Sequence, residues 1–389
     1  MKTNMIKVLF LSQWYPNRYD LMAGLFVQKH AEAVSLYCDV ASLYIQPDTT
    51  IKKTEIITSS ENSFLEVIVY FPAKSDSIIA KLLKQINYLK AYKLGYKVIL
   101  DSWGKPDIVQ ANVFTRTVLI AALLKKRYSI PYVVIEHWTR YFRENMFKNK
   151  IHRFFSIYAA KHASAIMPVT KHLQGCMELH GMKNHNYNII NNVVDDIFFE
   201  KLVIPDNKKI RILNVTCFDD QQKNLSGLLH VIKKLSLKRL DFEIYLVGDG
   251  IDYSKIKSLA GKLEIENTFV YFTGILTGKE LVEMYQKSHF TVLFSNYENM
   301  PVVISESLSC GLPVVSTNVG GIAEHINSAN GLLINAGDEH GLYTSLDYMI
   351  NHYLDYNKND IIENAKQKFS YQSVGKNLVS IYYDIINNN

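Results

Sequence analysis

Two glutamates at a fixed spacing are the residues of this sequence whose chemistry is easiest to interpret. Glu298 and Glu306 are separated by seven residues in the segment NYENMPVVISESLSCGLPVVSTNVGGIAE. Pro301 suits the first turn of a helix, because an N–H there would have no acceptor within the helix. The N–H groups of Val302 and Val303 can then face an anion at the positive end of the helix dipole. The segment predicts a phosphate at a helix N-terminus with a hydroxyl-binding glutamate on either side; two unrelated glutamates on a solvated helix are the alternative.

Further candidate residues follow predicted β-strands. Short apolar, β-branched runs alternate with longer helical patterns along the chain, which is typical of parallel sheets covered by helices on both faces. Ligands of such sheets bind beyond the carboxyl ends of the strands. The residues at those positions are Gly24, His137, Lys223, Asp249 and the segment 298–306. A ligand between two facing sheets would contact all of them.

The strand pattern restarts after a polar stretch near residue 200, which predicts two doubly wound α/β domains. The predicted strands are 7–12, 38–45, 65–71, 107–112, 132–137 and 164–169, and then 211–216, 242–248, 268–274, 290–295, 312–317 and 331–335. We expect an N-terminal domain over 1–195, a hinge over 196–207 and a C-terminal domain over 208–370. Residues 371–389 are expected to form a helix that packs back towards the N-terminal domain.

The composition excludes several classes of protein. Hydrophobic residues make up 48% and charged residues 21% of the 389, as in ordinary folded proteins, so disordered and fibrous classes are excluded. The four cysteines form no CxxC pair, which predicts neither a disulfide framework nor a zinc site and favours a reducing compartment. The apolar run near the N-terminus is too short for a signal peptide, and the longest one, 118–124, is too short to span a bilayer. A cytoplasmic protein is therefore predicted.

Positive charge is concentrated in the first half of the chain. The whole chain has a net charge of +6, but residues 1–200 carry +9 and the remainder −3. The N-terminal half therefore favours anionic partners. Two basic, tyrosine-rich segments, 81–97 and 140–161, are either ordinary helices beside the sheet or a contact with an anionic membrane surface. Nucleic acid is disfavoured as a partner because no recognisable nucleic-acid module is present.

Several motifs together resemble the retaining glycosyltransferases of family 4, which have the two-domain GT-B fold. Glu298-x7-Glu306 and the sequence SLSCGLPVVSTNVGGIAE resemble the signature of that family. Five other segments resemble, in chain order, its first loop and helix, acceptor-domain strand, hinge, phosphate-binding loop and late donor-domain turn: SQWYPNRYDLMAGLFVQKHAEAV, DIVQAN, IIN with NVVD, DDQQKN and NGLLINAGD. The resemblance runs almost end to end. It implies a GT-B architecture with two Rossmann-like domains facing each other across a cleft.

The resemblance also implies a role for each matching residue. Three residues would be catalytic: Glu298 would bind the donor sugar, Lys223 would neutralise the diphosphate, and His137 would lie against the donor sugar and the β-phosphate. The donor-binding residues would be Gly24, Gly248, Asp249, Gly274, Ile275, Met300, Pro301, Val302, Val303 and Glu306.

Within the donor-binding set, Glu306 would bind the ribose hydroxyls and the backbone at Gly274 and Ile275 would meet the base. Gly24 would let the first loop approach the phosphates.

Two positions depart from the family pattern. Cys217 stands where an arginine usually lies six residues before Lys223, and Pro301 stands where glycine is usual. Helix-start chemistry explains the proline. The cysteine removes a charge-assisted hydrogen bond to the diphosphate, worth roughly 1.5 to 3 kcal/mol. Our hypothesis is that Gln221, Gln222 or an arginine of the N-terminal domain compensates.

The resulting prediction is a retaining, metal-independent glycosyltransferase without a cofactor. It would move a sugar from a UDP- or GDP-sugar to a glycan or lipid-linked saccharide in surface polysaccharide or glycolipid biosynthesis, at the inner face of the cell membrane. A nucleotide-sugar epimerase or hydrolase on the same fold is one alternative, and a non-catalytic sugar-nucleotide-binding partner is another. NAD binding is disfavoured because Tyr253 replaces the last glycine of the Gly248-Asp249-Gly250 fingerprint. A metal is disfavoured because the histidines show no HxxxH or HxH pairing.

Overall fold

The apolar runs form two parallel sheets in a computed structural model that describes residues 5–61, 63–73, 78–143, 146–147, 149–200 and 208–388. Contacts divide the chain into two compact units. The first contains residues up to Val169, Gln174–Val193 and the residues from Tyr371 onward, and the second contains Thr170–Leu173 and Val194–Ser370. The predicted α/β fold with two Rossmann-like domains is confirmed.

The first unit contains a seven-stranded sheet in the order β3-β4-β2-β1-β5-β6-β7. All neighbouring strands are parallel except β3, which is antiparallel to β4. The strands are β1 Lys7–Ser12, β2 Asp39–Asp48, β3 Glu55–Glu61, β4 Phe64–Pro72, β5 Ile108–Asn112, β6 Tyr132–Glu136 and β7 Ala165–Pro168. The helices are α1 Leu25–Ser35, α2 Ile78–Ser102, α3 Arg116–Tyr128, α4 Lys150–His162 and α5 Lys171–Leu179, which begins in the second unit, and finally α13 Tyr371–Asn387.

Helices cover both faces of this sheet. The helices α1 and α13 pack with Val8 and Phe10 on one face. The helices α2, α3 and α4 cover the other: Gly95 of α2 lies against Leu43, and the Tyr132 hydroxyl donates to a carbonyl of α4 at 2.6 Å. Because α13 completes the core of the first unit, that unit is built from both ends of the chain.

The second unit contains six parallel strands in the order β10-β9-β8-β11-β12-β13, the strand order of dinucleotide-binding Rossmann folds. The strands are β8 Ile210–Val215, β9 Phe242–Val247, β10 Val270–Gly274, β11 Phe290–Leu293, β12 Val314–Thr317 and β13 Gly331–Ile334. The helices are α6 Asp220–Lys223, α7 Leu225–Ser236, α8 Tyr253–Lys262, α9 Gly278–Gln286, α10 Val302–Ser309, α11 Glu339–His352 and α12 Lys358–Phe369. A core of its own, separate from that of the first unit, fills the second.

One detail of the fold differs from the sequence prediction. Strand β3 was not predicted, because its sequence EIITSSE is polar and every residue is exposed, as suits an edge strand. Of the predicted hinge, Asp196–Phe199 form a short 3₁₀ helix, while 201–207 lie outside the described residues. None of the helices in the described part of the chain has the length and hydropathy of a membrane span.

Candidate functional site

Two loops pack together at the carboxyl edge of the second sheet. The loop after β8 lies on the loop after β9, where the Phe218 N–H donates to the Asp249 carbonyl at 2.9 Å. Gly248 has φ +132°, and a Cβ there would lie 1.9 Å from the Thr216 carbonyl oxygen; a Cβ at Gly250 would meet the Phe218 backbone. These two glycines therefore let the loops pack together, whatever contact they also make with a ligand.

An ion pair joins two of the predicted catalytic residues. The Lys223 ammonium, at the end of α6, contacts Oε1 of Glu298. The two side chains are only 12% and 6% exposed. The Ser295 hydroxyl donates to the same carboxylate oxygen at 2.9 Å, and the Gln222 amide lies 3.4 Å from the other one. The sequence analysis assigned separate roles to Lys223 and Glu298, whereas the structure makes them direct partners.

This arrangement suits the binding of a group with both phosphate and hydroxyl oxygens. A shielded ammonium attracts phosphate more strongly than an exposed one, because less water screens its charge. Glu298 can accept hydrogen bonds from sugar hydroxyls with the lone pairs that Lys223 and Ser295 leave. An incoming diphosphate would compete with Glu298 for the ammonium.

Helix α10 begins beside Glu298. Pro301 is its N-cap, with φ −68°, and Val302 is the first helical residue. The prediction that Pro301 occupies the first helical turn is therefore wrong by one position, since its carbonyl accepts the Ile304 N–H at 3.1 Å and so starts the helix. Met300 is buried. The first N–H groups of a helix, here those of Val302 and Val303, have no acceptor inside it and can face an anion.

Glu306 lies about one turn after Val302 in the same helix. The Tyr285 hydroxyl of α9 donates to its Oε2 at 3.0 Å. Tyr285 is fully buried, and this burial together with the nearby Glu306 carboxylate raises the pKa of the phenol well above its usual range. Tyr285 therefore stays a hydrogen-bond donor and fixes the orientation of Glu306.

Asp249, Gly274 and Ile275 lie at the same edge, where Asp249 and Ile275 are exposed and Gly274 is half-buried. The Asp249 carboxylate accepts the Gly250 N–H at 2.7 Å. The Gly274 carbonyl accepts the Gly248 N–H at 2.8 Å. A Cβ at Gly274 would meet no atom within 4 Å, and Ile275 is exposed. This surface leaves room for a flat group such as a nucleotide base.

In the first unit, Gly24 is required by the local backbone. It is the N-cap of α1 with φ +63°, and a Cβ there would lie 2.3 Å from the Trp14 carbonyl carbon. Any side chain would therefore displace the loop after β1. The proposed approach to phosphate remains a prediction.

His137 is held by a buried carboxylate that the sequence analysis missed. Glu136, the last residue of β6, is inaccessible to solvent. Its Oε1 accepts the N–H groups of His137 and Trp138, both at 2.9 Å. Its Oε2 accepts the Phe114 N–H at 2.9 Å and the Tyr141 hydroxyl at 3.1 Å. Burial raises the pKa of Glu136, and the nearby Arg140 and these hydrogen bonds partly oppose that rise.

The His137 ring packs between two other rings. The ring centroids lie 4.2 Å from Phe26 and 5.6 Å from His30. Burial, with a smaller contribution from His30, lowers the pKa of His137 well below its usual value. His137 is therefore neutral at pH 7 and can donate one hydrogen bond without adding a positive charge.

His30 gives the first unit a predicted dependence on pH. Burial lowers its pKa to about 4, and its Nε2 lies 2.9 Å from the Asn191 carbonyl. The folded state binds this proton less readily than the unfolded state, whose pKa is about 6.5, so stability contributed by His30 is complete above that pH and is lost as pH falls towards 4. We expect a loss of about 3 kcal/mol in the free energy of unfolding from this residue.

Urea denaturation followed by tryptophan fluorescence over this pH range would measure the loss. The variant His30→Gln should flatten the dependence, whereas His185→Gln, at an exposed position of the same unit, should not. An unchanged pH dependence in His30→Gln would contradict the assignment.

Two adjoining cavities lie at the carboxyl edge of the first sheet. The first, of about 310 Å³, is lined by residues that include Trp14, Phe114, Arg116, Trp138, Arg140 and Phe155. The second, of about 370 Å³, shares Gln13, Trp14 and Arg116 with it and adds Tyr19, Lys84 and Tyr88. Each wall therefore presents several aromatic rings and two cations.

The structure thus places Gly24 and His137 in the first unit and the other predicted residues in the second. Sequence reasoning missed Ser295, Tyr285 and Glu136. Ser295 and Glu136 sit at or just after the end of a strand, which was an available signal. The described residues contain no cluster of three His, Cys, Asp or Glu side chains that could hold a metal ion, and metal independence stays a prediction.

Comparison with known proteins identifies relatives of this chain. Residues 194–368, nearly the whole second unit, match the family described as glycosyl transferases group 1. An uncharacterized glycosyltransferase of Methanocaldococcus jannaschii is 28% identical over 84% of this chain and 87% of its own length. The lipopolysaccharide 1,6-galactosyltransferase of Escherichia coli K12 is 26% identical over 76% of this chain and 83% of its own.

Solved structures show the same fold. HepE of Anabaena, crystallised in complex with UDP, superposes with a TM-score of 0.70 at 15% identity, over 98% of this chain and 100% of that one. The structural neighbours are GT-B glycosyltransferases. At this identity the likeness establishes the fold alone.

Proposed function

From the match of its second unit to the group 1 glycosyl transferases, we propose that this chain is a retaining glycosyltransferase of family 4. It transfers a sugar from a UDP- or GDP-sugar to a glycan or lipid-linked saccharide during surface polysaccharide or glycolipid assembly at the cytoplasmic face of the membrane. The UDP complex of HepE supports a uridine nucleotide. The similarity to a lipopolysaccharide galactosyltransferase supports a surface glycan as the product.

The observation that carries this proposal is the shielded Lys223–Glu298 pair beside the N-terminus of α10. In the reaction, the bond between the anomeric carbon and the β-phosphate oxygen breaks, and the acceptor hydroxyl oxygen bonds to the same face of that carbon. The hydroxyl proton passes to the departing phosphate. Lys223 and the N–H groups of Val302 and Val303 stabilise the negative charge that develops on the diphosphate. Glu298 releases Lys223 to the phosphate and binds the sugar hydroxyls.

The first unit would bind the acceptor. Its cavities offer tryptophan rings that can stack on sugar faces, and arginines that can pair with a phosphate. The neutral His137 would donate a hydrogen bond to the donor sugar.

Thermal denaturation with UDP, GDP and ADP, without added metal, tests the donor site. A nucleotide at 100 times its Kd stabilises the protein by about 2.7 kcal/mol. We expect UDP to raise the melting temperature most. Glu306→Ala should weaken UDP binding about 10- to 100-fold, because it removes a hydrogen bond to a charged group.

The matched control for this experiment is Glu243→Gln. Glu243 pairs with Arg211 at the opposite, amino edge of the same sheet and should not affect UDP binding. If no nucleotide shifts the melting temperature, the donor-site assignment is wrong.

Cys217 offers a separate test of how the diphosphate is held. It is exposed in the loop between β8 and α6, one turn before Gln221 and Gln222. If these residues already compensate for the missing arginine, Cys217→Arg should change the Kd for UDP less than about threefold. A tightening of tenfold or more, which one restored charge-assisted hydrogen bond can supply, would refute compensation.

The alternatives differ in what they do to the donor. An epimerase or hydrolase would consume the nucleotide-sugar without an acceptor, and a non-catalytic partner would bind it unchanged. Incubating the donor with and without cell lipid extract distinguishes all three, because only the transferase needs the extract to release the nucleoside diphosphate.

A further inference from the structure

The two helical faces of the first unit differ in charge. Helices α2, α3 and α4, which we call the α2–α4 layer, contain five, four and three lysines or arginines respectively, against a single acidic residue, Asp101. On the opposite face, α1 and α13 each contain one lysine and one acidic residue. The positive charge of the N-terminal half is therefore concentrated on one face of the sheet.

The same layer exposes apolar side chains in a regular pattern. Ile151, Phe154 and Tyr158 of α4 are 68%, 65% and 43% exposed. At a spacing of three and four residues, they form one stripe along the helix. The buried residues of α4, Ser156, Ala159 and Ala160, lie on the other side. Leu123 of α3, which packs against α4, is also largely exposed, whereas α13 exposes only Tyr383 among its large apolar residues.

Charged residues border this apolar stripe. Lys150 and Lys161 lie along one edge of it, at the two ends of α4. Lys126 and Arg127, both exposed, lie in the last turn of α3 just beyond Leu123. An apolar helix face bordered by lysines is the pattern that lies flat in a lipid headgroup layer.

The stripe also adjoins the first cavity. His152, Phe155, Ser156 and Ala159 of α4 line that cavity along the flank of the helix next to the stripe. Leu119 of α3 lines it too, one turn before the exposed Leu123. Any partner surface that binds the stripe would therefore lie next to the first cavity.

We propose that the α2–α4 layer docks on a bilayer containing anionic phospholipids. The apolar stripe enters the headgroup region, and the exposed side chains of Lys126, Arg127, Lys150 and Lys161 face the lipid phosphates. Pairing of this face with the same face of a second copy would be opposed by repulsion between the two cationic surfaces. A bilayer accepts the exposed apolar side chains of the stripe without shape matching, whereas a protein partner would need a complementary surface and nucleic acid offers no apolar layer. If the proposed function also holds, docking presents a lipid-linked acceptor to the cavity.

Vesicle sedimentation tests this proposal directly. The full chain should bind vesicles of phosphatidylglycerol and phosphatidylcholine in equal parts, and should not bind pure phosphatidylcholine. Lys150→Glu with Lys161→Glu should lower the partition coefficient about thirtyfold or more, since each cation near an anionic surface contributes to binding. Phe154→Ser with Tyr158→Ser should lower it about tenfold or more.

Matched controls lie elsewhere on the chain. Tyr383→Ser removes an equally exposed tyrosine, 45%, from the opposite face. Lys262→Glu with Lys376→Glu makes the same change in net charge at exposed positions of α8 and α13. Both controls should bind vesicles like the unchanged protein. Equal loss in test and control variants, or no vesicle binding by the unchanged protein, would overturn the proposal.

UDP binding by the same variants, measured as a shift in melting temperature, tests the proposed function independently of membrane docking. The stripe variants should bind UDP normally, because none of them alters the second unit. Loss of vesicle binding with UDP binding intact supports docking. Vesicle binding without any UDP binding would support docking and reject the transferase.

Discussion

Replacing Glu298 by glutamine is expected to reduce turnover of the nucleotide-sugar about 10²- to 10³-fold, the usual effect of losing one preorganised transition-state contact. The glutamine keeps the size of the side chain but removes the charge that pairs with Lys223. Lys223→Met should reduce turnover by a similar factor, since the diphosphate then leaves without its ammonium. The measurement is kcat with donor and lipid acceptor.

The two changes should not be additive. Because Lys223 and Glu298 contact each other directly, the double variant should be little worse than the poorer single variant. Glu243→Gln removes one partner of a similarly shielded ion pair at the far edge of the sheet and is the control. Near-normal turnover in Glu298→Gln would reject its catalytic role.

Glu136→Ala is expected to destabilise the first unit by more than about 4 kcal/mol. The substitution leaves three N–H groups and the Tyr141 hydroxyl without their buried acceptor, and each unsatisfied donor costs about 1 to 3 kcal/mol. It also removes the negative charge that lies near the Arg140 guanidinium. Glu178→Ala, at an exposed position of α5, should change the free energy of unfolding by no more than about 0.5 kcal/mol.

Urea denaturation can assign this loss to the correct unit. All three tryptophans, Trp14, Trp103 and Trp138, belong to the first unit, so tryptophan fluorescence reports its unfolding alone. UDP binding by the second unit should survive Glu136→Ala under conditions where the fluorescence transition has shifted. A shift within about 1 kcal/mol of that of Glu178→Ala would show that the carboxylate is not structurally important.

The sheets could be predicted because their strands are apolar on both faces. The sequence KVLFLS defines β1 at both ends, since Lys7 and Ser12 bound a continuous hydrophobic run. Strand β3 lacks that signal. Its residues are exposed on both sides, and it pairs with β4 through backbone hydrogen bonds, which side-chain patterns do not reveal.

The candidate site could be predicted as a region but not as a set of contacts. The rule that ligands bind at strand ends placed Lys223 and Glu298 at the same edge, but it cannot show that two side chains 75 positions apart form an ion pair. Glu136 was missed because, at the end of the run YVVIE, it resembles an ordinary strand terminus. Gly248 was predicted to line the nucleotide. The structure shows that a side chain there would first clash with the Thr216 carbonyl oxygen.

The position of α13 in the first core sets an order for folding during synthesis. Val374, Leu378 and Tyr382 fill that core, and Gly375 lets the helix backbone approach Ala33 so closely that a Cβ would lie 2.2 Å from its carbonyl oxygen. The ribosome makes these residues only after the second domain is complete. Apart from Thr170–Leu173, the second domain is formed by one continuous segment of the chain and has its own core. It can therefore reach its native state first, although most of its sequence is synthesised later than that of the first domain. Until α13 emerges from the ribosome, one face of the first sheet is only partly covered. During this period the face exposes an apolar surface that chaperones can bind.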